Sequence, residues 1–429
     1  MKKILIITYY WPPSGGAGVH RWLGFVKHLK SNGYFPIIYT PENPDSSVED
    51  PSLLGNIPDG IEVIKQKIWE PYGYYKRIIG VNKNEKINTG FISEEKKPGL
   101  IENFAVWIRG NFFIPDARKF WIKPSIKFLS KTIKEKNIEL VITTGPPHSM
   151  HLIGLGLKRK LDIKWIADFR DPWTNIDFYD QLKLSKRSDR KHRDLEKEVL
   201  KSADLCIAIG NTLGNELSEL GSKNVKVITN GFDGEILLSK QPSGKFSIGH
   251  FGSLGASRNP KNLWKVLADI GKEDASFFMD LQIELVGKVD HSVLNELKNN
   301  KLEHFIVRSG QIPYNEAQRK MEACQVLLLV ANNTPNAKGI LTSKLFEYMR
   351  TSRPILAIGP IDSDMSDVMK EVYGSSAIDY SEEKGLKMEV LKLYKAFKND
   401  DLVVDASKTK KYHRKELTQH LIKLIESIV

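Results

Sequence analysis

Residues 326–360, VLLLVANNTPNAKGILTSKLFEYMRTSRPILAIGP, constrain the fold more than any other stretch. VLLLVA and PILAIG are continuous apolar runs bounded by turn residues, the pattern of strands covered on both faces. Between them lie a polar loop and a short helical pattern closed by Arg353-Pro354. Thr342 or Ser343 is the expected N-cap. If Ser343 caps, Lys344 is the first helical residue and Glu347 follows three later on the same face, while Leu345, Phe346 and Met349 turn inward. Free backbone N–H groups at such a helix start favour an anion. Lys344 adds a full charge suited to phosphate, and Glu347 can accept hydrogen bonds from sugar hydroxyls. Glu347 has a second reading, in which it complements the helix dipole or pairs with Arg350.

At 429 residues the chain is long enough for two domains with full cores. Cys206 and Cys324 both lie in apolar runs, which reads as buried thiols rather than a disulfide or metal site. The N-terminal MKKILIITYYWPP is basic, but its apolar run is too short for a secretory signal. No run approaches the ~18 apolar residues of a membrane span. A cytoplasmic protein is the expectation.

The formal net charge of +12 is concentrated. Residues 71–137 hold 14 Lys and Arg against 6 Asp and Glu, together with Tyr72, Tyr74, Tyr75, Phe91, Phe104, Trp107, Phe112, Phe113, Phe120 and Trp121. Basic side chains beside exposed aromatics suit an anionic membrane surface, such as the inner face of the cell membrane; a solvated basic face over core aromatics is the alternative. No nucleic-acid-binding module is present, so nucleic acid is not expected as a partner.

The chain opens with strand KILIITYY, a loop holding Gly15, Gly16 and Gly18, a helix and strand PIIYT. That order begins a doubly wound parallel sheet, and Gly16 lets backbone approach a ligand at the strand's carboxyl end. Helices and strands then alternate through LVITT, KWIADF, ADLCIAI and VKVITNGFD. A polar stretch, DGEILLSKQPSGK, marks a linker, and KFSIGHFGSLG restarts the pattern. Two amphipathic helices, roughly 382–399 and 412–428, end the chain. The expectation is an α/β protein of two Rossmann-like domains, 1–233 and 244–409, with residues 410–429 packing back on the first. Their strand carboxyl ends would face across a cleft, where ligands bind.

These residues resemble the family-4-like glycosyltransferases of the GT-B fold. The resemblance is carried by TYYWPPSGGAGVHR, FIPDARKFW, GPPHSMHLIGL, WIADFRDPW, SADLCIAIGNTL, VITNGFD, HFGSLGASRNPKNL, LVGKV and TSKLFEYMRTSRPILA, in family order. It implies transfer of a sugar from a nucleotide-sugar with retention of configuration and without bound metal. Glu347 matches the family glutamate that holds the nucleotide ribose. The glutamate that many members carry eight positions earlier falls on Gly339, so the sugar contact differs here.

Breaking a bond to a nucleoside diphosphate requires cations against the leaving phosphates. Arg258, or alternatively Lys261, and Lys344 are placed for that after strands of the second domain. The candidate donor set is Gly16, Ser253, Arg258, Thr342, Ser343, Lys344 and Glu347. On the acceptor side, Asp168, Arg170 and Asp171 end a strand of the first domain, with His148 in the GPPHS turn. A carboxylate there can orient or deprotonate an acceptor hydroxyl; Asp–Arg pairing and turn capping are the alternatives. Arg258, Lys344 and Asp171 are the catalytic candidates. Asp362-Ser363-Asp364 reads as a helix cap rather than a metal motif, and no histidine spacing supports zinc. No cofactor is expected beyond a UDP- or GDP-type donor as substrate. The expected acceptor is a glycan or lipid-linked sugar of cell-surface polysaccharide synthesis. A nucleotide-sugar 2-epimerase and a non-catalytic membrane adaptor are the competing readings.

Overall fold

The computed structural model describes residues 2–46, 48–70, 100–237, 244–402, 404–405 and 407–429. The tyrosines at 72, 74 and 75 and Phe91 therefore lie outside the described residues. The chain forms two compact units, Met1–Thr229 with Leu417–Val429, and Asn230–Glu416.

The first unit is built on seven parallel strands: β1 (Lys2–Ile7), β2 (Tyr34–Pro41), β3 (Glu62–Gln66), β4 (Leu140–Gly145), β5 (Lys164–Phe169), β6 (Leu205–Ala208) and β7 (Val225–Val227). Their order is β3-β2-β1-β4-β5-β6-β7. Strand periodicity divides the apolar residues between two cores. Leu5, Ile7 and Val141 enter one, with Trp121, Leu129, Ile153 and Leu157 from covering helices. Ile4, Ile6, Leu140 and Ile142 enter the other, with Trp22, Phe25, Leu421 and Ile425. Both faces are covered, which is why these strands read as unbroken apolar runs.

The second unit repeats the arrangement with β8 (Phe246–Phe251), β9 (Leu281–Val286), β10 (Ile306–Ser309), β11 (Val326–Val330) and β12 (Ile355–Ile358), in the order β10-β9-β8-β11-β12. Val326, Leu328 and Val330 face one core; Leu327 and Leu329 face the other. In each unit the strand order reverses once, between β1 and β4 and between β8 and β11. The crevice beyond the carboxyl ends at such a reversal is where open α/β sheets hold ligands.

Of the two expected caps, Thr342 is the one used: it caps the helix Ser343–Met349, its Oγ1 accepting from the Lys344 amide at 3.4 Å. In the 362–364 segment the cap is Ser363, whose Oγ accepts from the Ser366 amide at 3.2 Å, while Asp362 pairs with Lys338. The helix Lys119–Lys136 includes Pro124. Among the described residues, no helix is long and apolar enough to cross a membrane.

Candidate functional site

In the second unit, the loops after β8 and β11 and the helix Ser343–Met349 bring together His250, Gly252, Arg258, Asn332, Lys344 and Glu347. Gly252 has a φ of +106°, a conformation that disfavours a side chain, and Lys344 lies directly over it. A Cβ at Gly252 would come within 2.6 Å of Lys344 Cε and 2.9 Å of Nζ. The neighbouring Gly287, after β9, has φ +113° and backs onto the Gly252 carbonyl group, where a Cβ would sit 2.7 Å from the oxygen. Two glycines thus clear the floor on which the lysine rests. Tyr348 fixes the helix from behind, its hydroxyl accepting from the Phe251 amide at 3.0 Å.

Lys344 makes no carboxylate ion pair among the described residues. Its Nζ is 3.4 Å from His250 Nε2. Burial, and then the positive charge of Arg258, pull its pKa down from 10.5 to about 7, against the opposing field of Glu347. Arg258 is directed by its Nε, which donates to Asn332 Oδ1. Lys261, the alternative to Arg258, is an exposed residue at the start of the helix Lys261–Glu273. Two cations converging where a sheet order reverses form an anion-receptive centre. Glu347 is half-buried, and its carboxylate makes no hydrogen bond or ion pair among the described residues. Burial raises its pKa, opposed by the charges of Arg414, Lys344 and Arg350. An acceptor group held without a hydrogen-bond donor is ready for hydroxyls. Ser253 and Ser343 are half-buried beside these groups, and Gly339 ends the short turn Ala337–Gly339 that precedes them.

In the first unit, the corresponding loops follow β1, β4 and β5. Gly16, the remaining donor candidate, begins the helix Ala17–Ser31 with φ +101° and no side-chain cap. Gly18 is needed as glycine because a Cβ would collide with the Arg170 guanidinium. Arg170 donates to the Pro146 carbonyl, and its amide donates to the Gly145 carbonyl at 2.9 Å. Asp171 is half-buried and its carboxylate makes no hydrogen bond or ion pair among the described residues. Burial raises its pKa to about 6, with Arg170 opposing and Asp177 adding to the rise.

The acceptor-side expectation for Asp168 is corrected. Asp168 is fully buried, and Arg21 Nη2, Trp22 Nε1 and Thr144 Oγ1 each donate to it at 2.8 Å. Both its oxygens are occupied, so it ties the strand ends to the helix Ala17–Ser31 instead of meeting an acceptor. His148 is also buried, stacked on Trp173 at 4.8 Å and 5°. Burial holds its pKa well below 6.5, with His151, Arg170 and His192 adding to the effect, so the ring is neutral at neutral pH.

His250, Asn332, Arg21 and Trp22 were not identifiable as site or anchor residues from the sequence. His250 alone left a trace, as a titratable residue inside the strand FSIGHF. Among the described residues no cluster of His, Cys, Asp and Glu is arranged to hold a metal ion.

Residues 89–235 match the sequence profile of Glycosyltransferase Family 4. Comparison with curated proteins gives no significant match. Among solved structures, sucrose-phosphate synthase from Thermosynechococcus elongatus is similar, with a TM-score of 0.63 and 13% identity over 100% of this chain and 99% of that one. A mutant of S. aureus TarM, in complex with fondaparinux, alpha-GlcNAc-glycerol and UDP, has a TM-score of 0.61 and 12% identity over 99% of both chains. A putative UDP-N-acetylglucosamine 2-epimerase from Listeria monocytogenes has a TM-score of 0.58 and 10% identity over 100% of this chain and 96% of that one. At such identities the likeness concerns the fold. The chain carries the Glycosyltransferase Family 4 signature over residues 89–235 and has the two-sheet GT-B fold of the glycosyltransferases.

Proposed function

We propose that the chain is a retaining, metal-independent hexosyltransferase that moves a sugar from a nucleotide-sugar to a glycan or lipid-linked acceptor in cell-surface polysaccharide synthesis. The observation that carries this reading is the pair Lys344 and Arg258, two cations held close above the reversal between β8 and β11. As the bond from the sugar's anomeric carbon to phosphate breaks, its electron pair leaves with the nucleoside diphosphate. Arg258 and Lys344 meet that charge. Glu347 accepts from the ribose hydroxyls, and Ser253, Thr342 and Ser343 line the same centre. Gly16, in the first unit, is a further proposed donor-binding residue. The TarM mutant, which shares this fold, is in complex with UDP, which supports a nucleoside diphosphate as the ligand proposed here.

The first unit supplies acceptor contacts, with Arg170 and His148 as binding residues. Asp171 is the proposed base for the acceptor hydroxyl. Its raised pKa sets a direction: transfer rises as pH climbs through about 6 and the carboxylate ionises. Asp171→Asn should abolish that rise.

Lys344→Ala and Arg258→Ala should each weaken UDP or GDP binding by about 1.5–3 kcal/mol, the loss of one charge-assisted contact. Calorimetric titration of folded variants checks this, and unchanged affinity in both removes them from the phosphate site. Nucleotide-sugar turnover without any acceptor would favour the epimerase reading. Absence of nucleotide binding in the intact protein would favour the adaptor.

A further inference from the structure

His250 sits in the last turn of β8 before the site, 1% exposed, between strands that are otherwise apolar at this level. Its Nδ1 is 3.0 Å from the Leu328 carbonyl oxygen on β11. A carbonyl only accepts, so Nδ1 carries the hydrogen and Nε2 presents a lone pair. That lone pair is 3.4 Å from Lys344 Nζ, the long end of the hydrogen-bond range. Gly252 is a second close neighbour of the lysine, near enough that a Cβ there would touch Cε and Nζ. The end of the lysine side chain therefore meets both an imidazole fixed by β11 and a bare stretch of backbone.

We propose that His250 is a positioning residue for this site: it receives a hydrogen bond from Lys344 through Nε2 and so aims the amine at the diphosphate. This rests on the donor reading above and names a residue that the reading does not contain. A free lysine has a flexible four-carbon stem, and ordering it at the moment of binding costs affinity. Here the ordering precedes the ligand. The groups facing the pair are Lys344 and Arg258 on the cationic side, Glu347 beside the lysine, and the Leu328 and Ser253 carbonyls beside the ring. Burial, reinforced by Lys344, lowers the imidazole pKa to about 3, so the ring stays a neutral acceptor across the working pH range. A carboxylate in the same place would hold the lysine more tightly but would compete with the phosphates for its charge.

Two substitutions separate aiming from mere packing. His250→Asn retains a donor near Nδ1 for Leu328 but has no atom at Nε2. His250→Gln can reach the Nε2 position with its amide oxygen. UDP and GDP affinity should fall about tenfold in His250→Asn and lie within about threefold of the parent in His250→Gln. In a Lys344→Ala background, His250→Asn should cost nothing further, because the contact it removes is already gone. Equal affinities for the two His250 variants, or a full additional loss in the Lys344→Ala background, would overturn the proposal.

A ligand-free measurement keeps the proposal distinct from the donor reading. Amine-specific labelling of Lys344 in the empty protein, followed by mass spectrometry across pH 6–9, should run faster near pH 7 in His250→Asn than in the parent or in His250→Gln. An identical labelling profile in all three would reject the contact even if nucleotide binding stands. A shifted profile without nucleotide binding would reject the donor reading and leave the contact in place.

Discussion

Lys344 pays for its readiness in stability. Its pKa is about 7 in the folded chain against 10.5 for a free lysine. Between those values the unfolded chain binds more protons than the folded one, so stability contributed through this group rises with pH across that window. Below about pH 7 the cost of holding a buried ammonium beside Arg258 is fully present; above about 10.5 it is gone. Lys344→Met should therefore raise the Tm of the empty protein at pH 6, and the gain should shrink as the pH approaches 10. Thermal unfolding of both proteins at several pH values checks this, and a pH-independent difference would assign the effect to packing alone. At this scale the sequence was informative where charge is the message. Lys344, Arg258 and Glu347 stand together in the second unit as their chemistry required. It was less informative where a charge is consumed internally: Asp168, in the last residues of β5, and Asp171, just beyond the strand, were read alike, and only the arrival of Arg21, Trp22 and Thr144 separates them.

Arg21 illustrates how elements are joined. It lies on the helix Ala17–Ser31, binds Asp168 at the end of β5, and donates to the carbonyls of Ile228 at 2.9 Å and Thr229 at 2.7 Å, just beyond β7. One buried guanidinium thus holds a helix, a strand end and the segment leaving the sheet. Asp168→Asn leaves that guanidinium buried without its counter-charge, and loss of one partner of a buried pair typically costs about 3–5 kcal/mol. Chemical denaturation should show a loss of that order in the first unit. A change below about 1 kcal/mol would mean that solvent or another carboxylate replaces the pair. The apolar runs, by contrast, were readable element by element. Burial on both faces leaves strands such as β11 no polar positions.

Over the whole molecule, the described part of the basic region presents an unusual surface. On the helix Lys119–Lys136, Trp121, Leu129 and Ile133 face the core, while Phe120, Lys123, Lys127, Phe128, Lys131 and Lys134 are exposed. Phe120 meets the exposed Trp69 at 4.7 Å, and Trp107 stacks with Phe104 at 6.0 Å. Aromatics among lysines suit an anionic lipid surface, where each nearby cation contributes about 1 kcal/mol and salt screens the attraction. We expect co-sedimentation with anionic vesicles at low salt, release at high salt, and loss of binding in Lys123→Glu with Lys127→Glu while nucleotide affinity persists. Equal behaviour towards neutral and anionic vesicles would favour a soluble acceptor.

The sequence alone determined the alternation of strands and helices and the restart of the pattern near residue 245, because burial on two faces leaves a local mark. Only the tertiary structure decided which glycines bear contacts, which of two aspartates three residues apart is held internally, and that a histidine on β8 stands beside Lys344. Those depend on residues far apart in the chain, such as His250 and Lys344 or Arg21 and Asp168, whose meeting is set by strand order. No periodicity within a single segment encodes such a meeting.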